Sequence, residues 1–153
     1  MTKASHQPAD PDFERRVRDS FARQTVMHTF GARLARVAAG EVDLELPFRA
    51  DLTQQHGFLH AGIVATVLDS ACGYAAYTLM PADAAVLSIE FKTNLLAPAR
   101  GELFLARGRV IRAGRTVTVC AADGLMREGA AERHVATMVG TMMTVRGREG
   151  LAG

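Results

Sequence analysis

The feature that most constrains this chain is a long apolar run from His60-Ala61-Gly62 to Pro81, in which Asp69 is the sole charged side chain. The run is too long for a strand and rich in Ala, which predicts a helix. As a membrane span it would carry a carboxylate near its middle, a costly placement in lipid. A helix buried in a soluble core is the better reading, and such a helix needs a second layer to pack against.

The rest of the chain supplies that layer as strands. Residues 31–48 form two runs joined near Ala39-Gly40; the second alternates Val42, Leu44 and Leu46 with Glu41, Asp43 and Glu45. A period of two is the mark of a half-buried strand. After Pro81 four more runs follow, over 85–98, 101–112, 115–127 and 133–145, with turn signals at Ala113-Gly114 and Glu128-Gly129-Ala130. Hairpin-linked strands with one buried helix predict an antiparallel sheet in a two-layer α+β domain. Residues 10–27 predict an N-terminal helix, with Asp10 or Asp12 as N-cap around Pro11. Its apolar face, Phe13, Val17 and Phe21 with Gln24, suits either a surface helix or a cover over a pocket mouth. The expected organisation is a single domain over 10–146 with loose ends at 1–9 and 147–153.

Charge and cysteines narrow the function classes. Eighteen Lys and Arg against 16 Asp and Glu leave a formal charge of +2, far from the dense basic footprint of a nucleic-acid binder. Two cysteines, Cys72 and Cys120, cannot make a disulfide scaffold and suit a reducing compartment. The opening residues lack the apolar core of a secretory signal, so the expected location is cytoplasmic, with no membrane partner.

Asp69 carries the chemistry. On a helix its nearest neighbours in angle are Gly62, Ala65, Thr66, Cys72, Gly73 and Ala76, all small, which leaves room beside the carboxylate. A buried carboxylate without a partner costs several kcal/mol or changes its pKa, and such groups concentrate at active sites. The alternative is a structural Asp bonded to a backbone amide or an arginine.

Before the helix stands Gln54-Gln55-His56-Gly57-Phe58-Leu59-His60-Ala61-Gly62. The first amides of a helix lack internal partners and carry partial positive charge. Gly62 admits close approach to the backbone. The arrangement could hold a carbonyl oxygen as it becomes an oxyanion. Gly62 and Asp69 are seven residues apart, about 10.5 Å along a helix. If both act on one ester or thioester, a second copy of the chain must supply one of them.

Rival chemistries are weaker. His56 and His60 lie in a loop without a CxxC or HExxH pattern, so no metal is expected. Cys72 reads as core rather than nucleophile. Phe58, Tyr74 and Tyr77 suit either an acyl pocket or packing. Arg100, Arg107, Arg109, Arg112 and Arg115 suit either solvated strand edges or contacts to phosphate, with Arg115, just after a turn, the first choice for the latter.

These residues together resemble the hot-dog fold acyl-CoA thioesterases, in the group related to the phenylacetate-pathway thioesterase PaaI. That group carries His-Gly-Gly with a catalytic Asp nine residues after the His; here His60-Ala61-Gly62 leads to Asp69 at that spacing. Its Asn six residues before the His and Gly three before it match Gln54 and Gly57, and its Ser or Thr ten residues before Pro-Ala matches Ser88 before Pro98-Ala99. The likeness covers roughly residues 40–146, with Gln54 in place of Asn and Ala61 in place of the middle Gly. It implies a long central helix wrapped by a curved antiparallel sheet. It also implies a homodimer or dimer of dimers with sites at the interface. The resemblance further implies that acyl-CoA is the substrate, aromatic or medium-chain, that coenzyme A enters only as part of it, and that no other cofactor is used. Asp69 is then nucleophile or general base. The Gly62 amide and Gln54 of the partner subunit polarise the carbonyl, Ser88 positions water and His60 shapes the loop. Gln55, Gly57, Phe58, Ala61 and Thr66 are the remaining candidate contacts to substrate, with Arg115. Two other classes stay in play: a non-catalytic acyl-CoA sensing module, and a hot-dog hydratase or dehydratase.

Overall fold

A computed structural model describes residues 6–151. The elements run α1 (Phe13–Arg23), α2 (Thr25–Phe30), β1 (Arg33–Ala38), β2 (Glu41–Pro47), a 3₁₀ turn (Ala50–Leu52), α3 (Ala61–Tyr77), β3 (Ala84–Leu95), β4 (Leu103–Ala113), β5 (Val117–Glu128) and β6 (Ala131–Arg146). The six strands form one antiparallel sheet in the order β1-β2-β4-β5-β6-β3. Part of the expectation of loose ends falls on residues 1–5 and 152–153, outside the described residues.

The apolar run becomes α3 and packs across the sheet. Val64, Val67, Leu68, Ala71, Cys72 and Ala75 are buried against Val42, Leu44 and Leu46 of β2, Phe104 and Ala106 of β4, and Met138 and Met142 of β6. The strand residues come from alternate positions, as the pleat requires. Small residues set the spacing: a Cβ on Gly108 of β4 would lie 2.4 Å from the Ala71 carbonyl oxygen. Helix and sheet touch through backbone there, and no side chain fits between them. Irregular steps at Val110/Arg112 in β4, at Ser88/Glu90 in β3 and at Val135 of β6, opposite Gly124/Leu125, bend the sheet around α3. Among the described residues no helix is long and apolar enough to cross a membrane.

The N-terminal helix differs from the continuous 10–27 segment expected. It breaks at Gln24, whose backbone is extended (φ −79°, ψ 93°). The break lets Val17 and Phe21 bury on one segment and Met27 on the next. Arg16 ties α1 to the end of α3. It donates to the carbonyls of Tyr77 (3.1 Å), Met80 (2.7 Å) and Pro81, pairs with Asp10 at 3.2 Å, and lies 4.4 Å from the centre of the Tyr77 ring. Carbonyls at a helix C-terminus lack internal partners and carry partial negative charge, which suits a cation there.

One edge of the sheet is apolar. Among the described residues β3 bonds only β6, and its Leu87, Ile89, Phe91 and Leu95 are 41–57% exposed. A long edge strand with apolar side chains is a ready template for a second strand. The central strands carry charge pairs: Arg107 of β4 with Glu132 of β6 (2.9 Å) and Arg109 of β4 with Asp123 of β5 (2.8 Å).

Candidate active site

Asp69 lies midway along α3, on the one face that the sheet does not cover. Gly62, Ala65, Thr66 and Gly73 share that face and are likewise not fully buried, so the small-residue stripe opens towards solvent. Ser88 Oγ donates to Asp69 Oδ1 at 2.7 Å. Ser88 immediately precedes the irregular step in β3, and such a step re-aims side chains beside a site. Burial raises the Asp69 pKa above the ordinary carboxylate range, and the Ser88 hydrogen bond partly opposes the rise. A cavity of about 200 Å³ adjoins the carboxylate, between α3 and the start of β3, and Ser20 and Gln24 are among its lining residues.

The second cluster is at the N-terminus of α3. His60 caps the helix: its Nδ1 accepts the Gly62 N–H at 2.9 Å. A neutral ring then carries its proton on Nε2. The amide expected to hold a carbonyl is thus engaged in the cap. The Ala61 N–H makes no hydrogen bond among the described residues. Gln54 approaches from the loop. Its N–H donates to the Phe58 carbonyl (2.9 Å) and its carbonyl accepts from Gly57 N–H (3.0 Å). This turn needs φ +79° at Gly57, a conformation that side-chain-bearing residues rarely adopt. Gln54 Oε1 accepts the His56 N–H, which orients the side-chain amide and leaves its NH₂ as a donor. Gln54, Phe58 and Ala61 line a second cavity of about 380 Å³, with Leu95 and Pro98 opposite. A third, of about 660 Å³, shares Phe58 and Pro98 with it and is bordered by Arg100 and Arg133.

The structure therefore brings Asp69 to Ser88, Gln54 to Ala61 and Phe58, and His60 to Gly62. It does not bring the first pair to the others, since both clusters sit along one helix. Thr66 lies between them and donates to the Gly62 carbonyl at 2.7 Å. Gln55 is exposed, with its Nε2 3.4 Å from His56 Nε2. Arg115 lines a separate cavity beside Met80, Pro81 and Arg146, past the C-terminus of α3. Arg107 and Arg109 are held by their acidic partners. Cys72 is fully buried; burial raises its thiol pKa and pushes that of Cys120 up to about 12, so neither is a thiolate at neutral pH. Ser20 was not singled out from the sequence, and Gln24 belonged to a face that suited either a surface helix or a cover over a pocket mouth. Polar residues on a mostly polar helix carry no spacing signal.

Residues 56–130 match the sequence profile of the thioesterase superfamily. A solved structure of a thioesterase family protein from Silicibacter pomeroyi is 55% identical, covers 88% of this chain and 99% of its own, and superposes with a TM-score of 0.87. A curated Halobacterium salinarum protein, given as an inferred esterase, is 36% identical over 94 residues, 58% of this chain and 62% of that one. The matched stretch thus spans about three-fifths of the first curated relatives. The Escherichia coli PaaI protein of the phenylacetic acid degradation operon shares the fold at 14% identity, with a TM-score of 0.80 over 90% of this chain and 96% of its own.

Proposed function

The chain belongs to the thioesterase superfamily, and from that membership we propose that it hydrolyses an acyl-CoA to the free acid and CoA in a site shared between two copies. The observation that carries this reading is the half-buried Asp69, held by Ser88 beside a cavity of about 200 Å³. A carboxylate with a raised pKa is a stronger base than an ordinary one. In the proposed reaction Asp69 takes a proton from water as the water oxygen adds to the thioester carbon. The carbonyl oxygen becomes an oxyanion, held by the Ala61 N–H and the Gln54 NH₂ of the other subunit. The oxyanion collapses, the C–S bond breaks, and the leaving sulfur takes the proton from Asp69.

Two observations support sharing. Asp69 and Ala61 are eight residues apart on one helix, about 12 Å, too far to act on one carbon from the same chain. The exposed apolar edge of β3, which carries Ser88, suits a two-fold partner. The cavity beside Asp69 would take the acyl group. The groove from Ala61 past Phe58 to Arg100 and Arg133 would take the pantetheine arm and phosphates. A sensing module has no use for a desolvated base held by a hydroxyl, and that pair favours catalysis.

A thiol-release assay over short, medium-chain and aromatic acyl-CoAs tests the activity; release from none of them would move the reading to a sensor. The base makes a second test. Activity needs the Asp69 carboxylate, so it is present above the raised pKa and lost as pH falls through it. Ser88→Ala removes the hydrogen bond that lowers this pKa, so the acid limb of kcat is expected to move to higher pH. An unmoved or lower limb would detach Ser88 from the base.

A further inference from the structure

We propose that Ser20 and Gln24, on the N-terminal helical segment, are specificity-determining residues: they form the end wall of the acyl cavity and restrict it to compact acyl groups. The inference rests on the reading of the Asp69 cavity as the acyl site.

The cavity has a volume of about 200 Å³, and an apolar cavity of about 150 Å³ admits benzene. A single ring or a short chain fills the space beside Asp69; a longer one meets the Ser20 and Gln24 side chains that line it. Hydrogen bonds and packing hold the wall in place. Ser70 Oγ donates to Gln24 Oε1 at 3.3 Å, and Ser20 Oγ lies 3.3 Å from Tyr74 Oη. Gln24 stands at the break between α1 and α2. Phe21 packs edge-on against Tyr74 with ring centres 5.8 Å apart. The Arg16 contacts to three carbonyls at the end of α3 keep α1 from swinging away. The wall is therefore part of the folded domain and not a loose cover.

Ser20, Gln24 and Tyr74 line the cavity and give it a polar end, with Ser20 Oγ 3.3 Å from Tyr74 Oη. A terminal methyl pressed against these groups strips them of water and returns no hydrogen bond. The length limit should be sharp, and an acyl group with a hydrogen-bonding end should be preferred over one of equal length ending in methyl.

The test is kcat/KM for saturated acyl-CoAs from acetyl to palmitoyl, paired with calorimetric binding of the matching non-hydrolysable S-alkyl-CoA thioethers. The native chain should fall by about tenfold or more between octanoyl and dodecanoyl, since a poorly fitting methylene is worth about 10-fold or more. Gln24→Ala should raise the dodecanoyl-to-hexanoyl ratio by about tenfold, and Ser20→Phe should lower the hexanoyl-to-acetyl ratio. The two variants push in opposite directions, so loss of folding in one leaves the other informative. Length ratios unchanged in both would overturn the proposal while leaving the thioesterase reading intact. A length limit in thioether binding that both variants move, without hydrolysis of any acyl-CoA, would support the wall and defeat the thioesterase reading.

Discussion

Asp69→Asn is expected to lower kcat by about 10²–10⁴-fold, the range that general-base catalysis contributes. Asn keeps the shape of Asp and can still accept from Ser88 Oγ. It cannot take a proton from water. The fold should survive, for a reason of sign. The Asp69 pKa is raised in the folded chain, so its contribution to stability is most favourable at low pH and declines as pH rises through the unfolded pKa towards the folded one. At neutral pH the ionised group opposes folding, and a neutral Asn relieves that. The thermal midpoint of the variant should be equal to or above that of the native chain. Thiol release and a thermal melt on the same sample check both halves. Turnover within a few-fold of native would remove Asp69 from the mechanism; lost turnover with a lower midpoint would point to a structural carboxylate.

Ala61→Pro is expected to lower kcat by about 10²–10³-fold, the cost of removing one oxyanion donor. The substitution deletes a single N–H from the one early amide of α3 that makes no hydrogen bond among the described residues. Proline is favoured at the first position of a helix, and the preceding His60, at φ −59° and ψ 140°, already has the extended backbone that a following proline requires. The helix, its His60 cap and the Gly62 contact should therefore persist. KM should change less than kcat, because the oxyanion exists only beyond the ground state. Steady-state kinetics on a medium-chain or aromatic acyl-CoA decide the matter. An unchanged kcat would return the oxyanion role to another donor, and the Gly62 amide would have to leave its cap to serve.

The sequence made parts of this account legible for identifiable reasons. The run from His60 to Pro81 could only be a buried helix, and α3 occupies Ala61–Tyr77 of it. The alternation at Val42, Leu44 and Leu46 marked β2, and all three are fully buried. Pairing order was not legible. β3 crosses to the far side of β6, a contact between residues some fifty apart in sequence, and periodicity carries no information on non-local partners. The break at Gln24 was also hidden, because neither glycine nor proline marks it. In the site, the spacing of His60 and Asp69 was visible, whereas the engagement of the Gly62 amide by His60 depends on a side-chain rotamer. Arg115 looked suited to phosphate from its turn position; only the fold shows that it lies past the far end of α3, while Arg100 borders the groove that begins at Ala61.

If two chains complete one site, mixing two inactive variants restores activity. Asp69→Asn chains retain the Ala61 amide, and Ala61→Pro chains retain the base. After unfolding and co-refolding at equal concentration, half of two-fold dimers are hybrids, and each hybrid has one intact site and one doubly defective site. Recovery to about one quarter of native activity is expected from two preparations that are each nearly inactive. Activity no greater than the sum of the two parents, with hybrid dimers demonstrated by differential tagging, would contradict a shared site.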